Sequence, residues 1–197
     1  MAEVTAYLLA PAGAMDIDRG VRHLQTDGWS LTGKMWELYS TEDHPVPLSN
    51  DRVPKVWKRF AHTSDRSGIQ GAALRDGIDL SICTFTANGV SSVELGWKPR
   101  VPPVAPDATV EGFLLPLAER AGAWIVMLLG TDPWWLPGLF RLENGMIRLC
   151  PDPEERSELL EKPPSLFVHE TKLRMVDSSV FRPTRHYGSW AACELVL

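Results

Sequence analysis

The sequence predicts an α+β domain with a mixed, mainly antiparallel sheet and helices packed on one face. Two Asn-Gly dipeptides, Asn88-Gly89 and Asn144-Gly145, each lie between apolar runs, which is the strongest short-range signal of a β-hairpin. Helical and strand periodicities alternate along the chain. No repeat of about 20 to 50 residues divides it. We therefore expect a single domain over residues 1–197, with residues 1–66 as an alternative minor N-terminal lobe.

The first forty residues predict a β-α-β unit. Val4 to Leu9 is an apolar strand, and Asp16 is placed to cap the helix that follows. Three apolar residues of that helix share one face: Ile17, Val21 and Leu24. Trp29 to Tyr39 then returns to strand alternation.

A second helix is predicted after the polar loop from Ser40 to Asp51. Its buried stripe and its opposite basic stripe both have helical spacing. The basic stripe consists of Arg52, Lys55, Arg59, His62 and Arg66. It is either a solvated outer face or a docking surface for an acidic partner. A flexible segment is expected from Ser64 to Gly71.

The middle of the chain predicts a hairpin, a helix and a buried strand. Ile78 to Thr86 and Val90 to Trp97 are the hairpin strands, and a proline-rich connector follows them. The next helix ends at Ala121 and should be kinked by Pro116. Ala123 to Leu129 is apolar throughout, as expected of a strand buried on both faces.

The last third predicts a second hairpin, a short acidic helix and two strands. The hairpin joins Leu139 to Leu142 with Met146 to Cys150, and the helix covers Pro153 to Glu161. We expect a long strand from Leu166 to Val176 and a terminal one from Ala191 to Leu197.

Composition excludes several classes of protein. Of the 197 residues, 44% are hydrophobic and 23% charged, a balance that disfavours disorder. The formal net charge of -5 disfavours a nucleic-acid partner, since such binders are usually basic. Three widely spaced cysteines without a Cys-x-x-Cys motif predict reduced thiols rather than a disulfide framework or zinc site.

The apolar segments point to a cytoplasmic protein. The N-terminal region carries the acid Glu3 and lacks a long apolar core, so no signal peptide is expected. The longest apolar run, Ala123 to Leu129, is about a third of a membrane span. No dinucleotide, P-loop, esterase or zinc-protease motif occurs. We expect no cofactor or metal, and the absence of these motifs favours a binding protein over an enzyme.

Two tryptophans are candidate partner anchors. The chain has 8 tryptophans, and most fit predicted apolar faces. Trp134 and Trp135 instead lie in a loop with two prolines and two glycines, from Gly130 to Gly138. Loops run over surfaces, where paired indoles can anchor a protein partner. The alternative is that this loop folds back onto the edge of the core.

Two charged clusters are further candidates. The acidic helix carries four glutamates that suit a basic partner such as a nuclease active site, although acids near a helix start also stabilise the helix. These are Glu154, Glu155, Glu158 and Glu161. The second cluster is a basic run near the C-terminus that consists of Arg182, Arg185, His186 and Tyr187. We interpret it either as an anion site or as a solvated loop.

The layout of the middle region resembles that of many small bacterial immunity proteins. The resemblance rests on the hairpin from Ile78 to Trp97, the proline-rich connector, the helix from Thr109 to Ala121 and the strand from Ala123 to Leu129. It implies a cytoplasmic protein that binds and neutralises a cognate toxin by occlusion. The alternative is an enzyme or small-ligand protein that uses the C-terminal basic run on an anionic substrate.

Overall fold

The computed structural model describes residues 4–31, 36–39, 46–48, 68–75, 78–97, 110–129 and 136–196. Within these ranges, eleven strands form one sheet and two more form a separate hairpin. The strands are β1 (Val4–Pro11), β2 (Ser30–Leu31), β3 (Trp36–Tyr39), β4 (Val46–Leu48), β5 (Gly68–Arg75), β6 (Ile78–Ala87), β7 (Val90–Trp97), β8 (Ile125–Leu129), β9 (Phe140–Glu143), β10 (Met146–Leu149), β11 (Ser165–His169), β12 (Phe181–Tyr187) and β13 (Trp190–Leu195).

The large sheet follows the order β12-β13-β11-β8-β1-β7-β6-β5-β3-β4, and β2 also pairs with β5. Every pair of described strands is antiparallel. The predicted α+β class with a mainly antiparallel sheet is therefore confirmed.

The helices are α1 (Ile17–Thr26), α2 (Leu115–Ala121) and α3 (Pro153–Glu161). Asp16 caps α1 as predicted, because its carboxylate accepts a hydrogen bond from the Arg19 backbone N–H. A π-helical turn, Val110–Leu114, leads into α2, and Pro116 lies in the first turn of α2. Proline costs no hydrogen bond at that position, and the helix type changes just before it.

The sheet separates two hydrophobic cores, since successive residues of a strand project to opposite faces. On β1, Ala6 and Leu8 belong to the core on the side of α1 and α2, which we name the helix face. Tyr7 and Leu9 belong to the core on the other side, which we name the hairpin face. Fully burying a leucine side chain such as that of Leu8 or Leu9 contributes about 1.5–3 kcal/mol to folding.

On the helix face, α1 and α2 touch at a glycine. Gly20 is buried, and a Cβ added there would lie 3.3 Å from the Cβ of Ala121. The absence of a side chain lets the two helix backbones approach closely.

The hairpin face is covered by the β9–β10 hairpin, α3 and a 3-10 helix, Glu170–Met175. Phe140, Ile147, Leu159 and Val176 are buried in its core. Because Leu159 belongs to α3, this third helix lies on the opposite side of the sheet from α1 and α2. The helices therefore do not all pack on one face, as was predicted, because the last third of the chain covers the second face.

Both predicted Asn-Gly hairpins are confirmed. Asn88 and Gly89 have φ of 52° and 76°, and Asn144 and Gly145 have φ of 51° and 78°. The first turn joins β6 to β7, and the second joins β9 to β10. Two successive positive φ angles are the geometry of the hairpin turn that Asn-Gly favours.

Three predictions for single segments are wrong. β5 begins at Gly68, inside the segment from Ser64 to Gly71 that was expected to be flexible, and it pairs along its length with β6. The strand expected to run to Val176 stops at His169, where the 3-10 helix begins. The C-terminal basic run, expected to form an anion site or a solvated loop, instead forms β12, an outer strand of the sheet.

No helix within the described ranges is long and apolar enough to span a membrane.

Candidate functional site

Two of the predicted surfaces lie outside the described residues. Trp134 and Trp135, and the basic stripe from Arg52 to Arg66, fall between described ranges. The role of the two tryptophans as partner anchors stays a prediction. The described part of the chain offers two other candidates, α3 and β12.

The start of α3 is held by a reciprocal pair of hydrogen bonds. The Asp152 carboxylate accepts from the backbone N–H groups of Glu154 and Glu155, both at 2.9 Å. The Glu155 carboxylate accepts in return from the Asp152 backbone N–H at 2.8 Å. This capping box satisfies N–H groups that a helix start leaves without partners. Glu155, predicted to contact a partner, therefore has a structural role.

The remaining three acids of α3 point outward. Glu154, Glu158 and Glu161 are exposed, and none forms an ion pair with another described residue. Their i, i+4 and i+7 spacing places them along one side of the helix. Local stabilisation of the helix start accounts for Glu155 better than for Glu158 and Glu161, which lie beyond the first turn.

Leu160 is an exposed apolar residue on the flank of α3, between the side that carries these acids and the side that faces the core. It has 54% of its surface exposed, more than any other large hydrophobic residue described. Its neighbour Leu159 is 3% exposed and belongs to the hairpin-face core. Adjacent residues on a helix differ in direction by about 100°, so burial of Leu159 leaves Leu160 in solvent. Sequence analysis missed Leu160, although two adjacent leucines in a nine-residue helix were a usable signal.

The exposed part of α3 therefore carries three carboxylates along one side and one apolar side chain about 100° or more around the helix from each of them. We name this set, Glu154, Glu158, Leu160 and Glu161, the α3 surface. A row of carboxylates attracts a partner of opposite charge and speeds its association.

The C-terminal basic run is divided between the two faces of the sheet. Arg182, Arg185 and Tyr187 pair with Glu194, Ala192 and Trp190 of β13, which alternate on the helix face. His186 pairs with Ala191, which is in the hairpin-face core. The predicted four-residue anion site requires the four side chains to converge on one point. Because they are divided between two faces of the sheet, they do not converge.

His186 is engaged on the hairpin face. Its Nδ1 lies 2.6 Å from Oε1 of Glu170, the first residue of the 3-10 helix. The backbone N–H of Glu170 donates to the Ser189 carbonyl oxygen at 2.9 Å. These contacts tie the 3-10 helix to the β12–β13 hairpin, so a structural role accounts for His186.

Among the described residues, no group of three or more His, Cys, Asp or Glu side chains is arranged to hold a metal ion. All three cysteines are free thiols. Burial raises the pKa of the Cys193 thiol to about 11, so this thiol stays protonated at neutral pH and is a poor nucleophile.

Comparisons with known proteins give two partial similarities, and no family model matches the chain. A 2-isopropylmalate synthase from Clavibacter sepedonicus is 32% identical over 133 residues, which cover 59% of this chain and 21% of the synthase. The chain thus spans about a fifth of that curated relative. The solved Pseudomonas aeruginosa T6SS protein PA0821 aligns with 98% of this chain and 66% of its own, at a TM-score of 0.36 and 13% identity.

Proposed function

We propose that this protein is a binding module that neutralises a cognate bacterial toxin by occluding its active surface. The observation that carries the proposal is the α3 surface, where three exposed carboxylates without described ion-pair partners lie along one side of the helix and exposed Leu160 lies on its flank. Burying an apolar side chain of this kind against a partner yields about 25 cal/mol per Å² of apolar area.

The charges of the α3 surface indicate the kind of partner that we propose. Its three carboxylates suit a toxin whose active surface is rich in Lys and Arg, as in enzymes that act on nucleic acids. The acids would steer association, and Leu160 would supply an apolar contact at the edge of the interface. Trp134 and Trp135 are proposed as further anchors of the same kind.

A growth assay tests this function. Each toxin domain encoded near the gene is expressed in a bacterial host, with and without this chain. The proposal predicts that one toxin with a basic active surface no longer arrests growth and forms a complex with the chain in which its catalytic activity is lost. Growth arrest by every such toxin in the presence of the folded chain would contradict the proposal.

A further inference from the structure

A bulge in β12 decides which of its side chains share a face. Pro183 pairs with Cys193 and Arg185 pairs with Ala192, so Thr184 between them has no partner of its own on β13. The Thr184 hydroxyl donates to the Ala192 carbonyl oxygen at 3.2 Å.

The extra residue puts two arginines on the same face of the sheet. Side chains three residues apart on a regular strand project to opposite faces. With Thr184 bulged out, Arg182 and Arg185 both lie on the helix face, together with Tyr187. Redirecting side chains in this way is a known use of β-bulges near binding sites.

Both guanidinium groups are available to a ligand. Arg182 and Arg185 are exposed, and neither forms an ion pair in the part of the chain that the structure describes. The Arg185 guanidinium carbon lies 4.8 Å from the centre of the Tyr187 ring, a cation-π contact that restrains this side chain. Glu194 is paired with Arg182 in the sheet, so this face carries two positive charges against one negative.

A group of aromatic side chains adjoins Arg185. The ring of Tyr187 meets Phe167 edge to face, with centroids 5.5 Å apart. Trp190, which pairs with Tyr187, is 2% exposed, and its indole N–H is buried without a hydrogen-bond partner among the described residues. A buried donor without a partner is rare in folded proteins.

We propose that the helix-face side of β12 binds an oxyanion, a carboxylate or phosphate group of a small ligand, through Arg182 and Arg185. A guanidinium presents paired N–H donors that match the two oxygens of such a group. Tyr187 holds Arg185 in place. The site lies on the opposite face of the sheet from the α3 surface, so it is independent of the proposed toxin contact.

The test is a titration followed by NMR, with inorganic phosphate in one arm and succinate in the other, at constant ionic strength. We expect saturable amide shifts at residues 182–187 and 190–194 with at least one of the two anions. The arm that saturates identifies phosphate or carboxylate as the preferred group. We expect R182Q/R185Q to weaken the apparent affinity about tenfold or more, since hydrogen bonds to charged groups are among the strong ones.

Two matched variants separate the site from general charge effects. H186Q changes the same strand on its other face and should bind within about twofold of wild type. R185H/H186R keeps the composition but moves one guanidinium to the hairpin face, and should bind more weakly than the wild type. The proposal is overturned if the wild-type protein gives no saturable shifts with either anion, or if R182Q/R185Q responds as the wild type does.

Discussion

Asp152 and Glu155 hold each other across the first turn of α3, with each side chain accepting a hydrogen bond from the backbone N–H of the other. This relationship divides the acids of the helix by role. Glu155 fixes the start of the helix, whereas Glu154, Glu158 and Glu161 remain exposed along its side. The rigid start determines where those carboxylates and Leu160 are presented.

Removing the cap should destabilise the protein without involving a partner. We expect Asp152→Ala to lower the free energy of unfolding by about 1 kcal/mol, because two backbone N–H groups lose their acceptor. Glu158→Ala, in the same helix but outside the cap, should change it by less than about 0.5 kcal/mol. Urea unfolding measures both values. Equal effects of the two substitutions would show that the capping box does not stabilise α3.

The two Asn-Gly turns provide a matched pair of glycines. Gly89 and Gly145 have φ of 76° and 78°, so alanine strains the backbone similarly at each. A Cβ at Gly89 would also lie 3.1 Å from the Cβ of Leu142, whereas a Cβ at Gly145 would meet nothing within 4 Å. We expect Gly89→Ala to lower the melting temperature more than Gly145→Ala does. The reverse order would contradict the packing of the β6–β7 turn against β9.

Asp177 should make stability depend on pH in the acid range. Its carboxylate accepts hydrogen bonds from the Ser179 hydroxyl at 2.5 Å and the Ser179 backbone N–H at 3.0 Å. The Ser179 side-chain hydrogen bond is the main reason that the pKa of Asp177 lies below its ordinary value of 3.8, and the Arg148 charge adds to the effect. A lowered folded-state pKa contributes stability above the unfolded-state value, and this contribution is lost as the pH falls through the folded-state value.

The variant Asp177→Asn isolates this contribution. The stability difference between wild type and variant should be constant between about pH 5 and 7 and should shrink as the pH falls below 3.8. Urea unfolding midpoints across this range measure it. A difference that stays unchanged at about pH 2.5 would show that the ionised Asp177 is not stabilised by the fold.

Much of the fold was predictable because its signals are local. The Asn88-Gly89 turn, the Asp16 cap and the acidic helix each depend on residues within one turn of one another. β12 was missed because an edge strand exposes most of its residues and therefore shows no alternation of apolar and polar side chains. Its strand identity comes from pairing with β13.

The candidate sites were predictable only in part. The carboxylates of α3 could be placed on one side of a helix from their spacing alone. The exposure of Leu160 depends on which of two adjacent leucines reaches the core, and packing against the hairpin face decides this. The division of Arg185 and His186 between faces depends on the bulge at Thr184, which pairing across the sheet reveals.

The central claim, that the α3 surface binds a basic toxin, is tested most directly by the rate constant of association with the toxin identified in the growth assay. We expect E154K/E158K to reduce this rate about tenfold at about 0.02 M salt, and the reduction to fade near 0.5 M as charges are screened. E111K/E119K makes the same charge change at exposed residues near and within α2 and should have a much smaller effect. An unchanged rate for E154K/E158K at low salt, or an equal reduction by E111K/E119K, would contradict the assignment of the binding surface to α3.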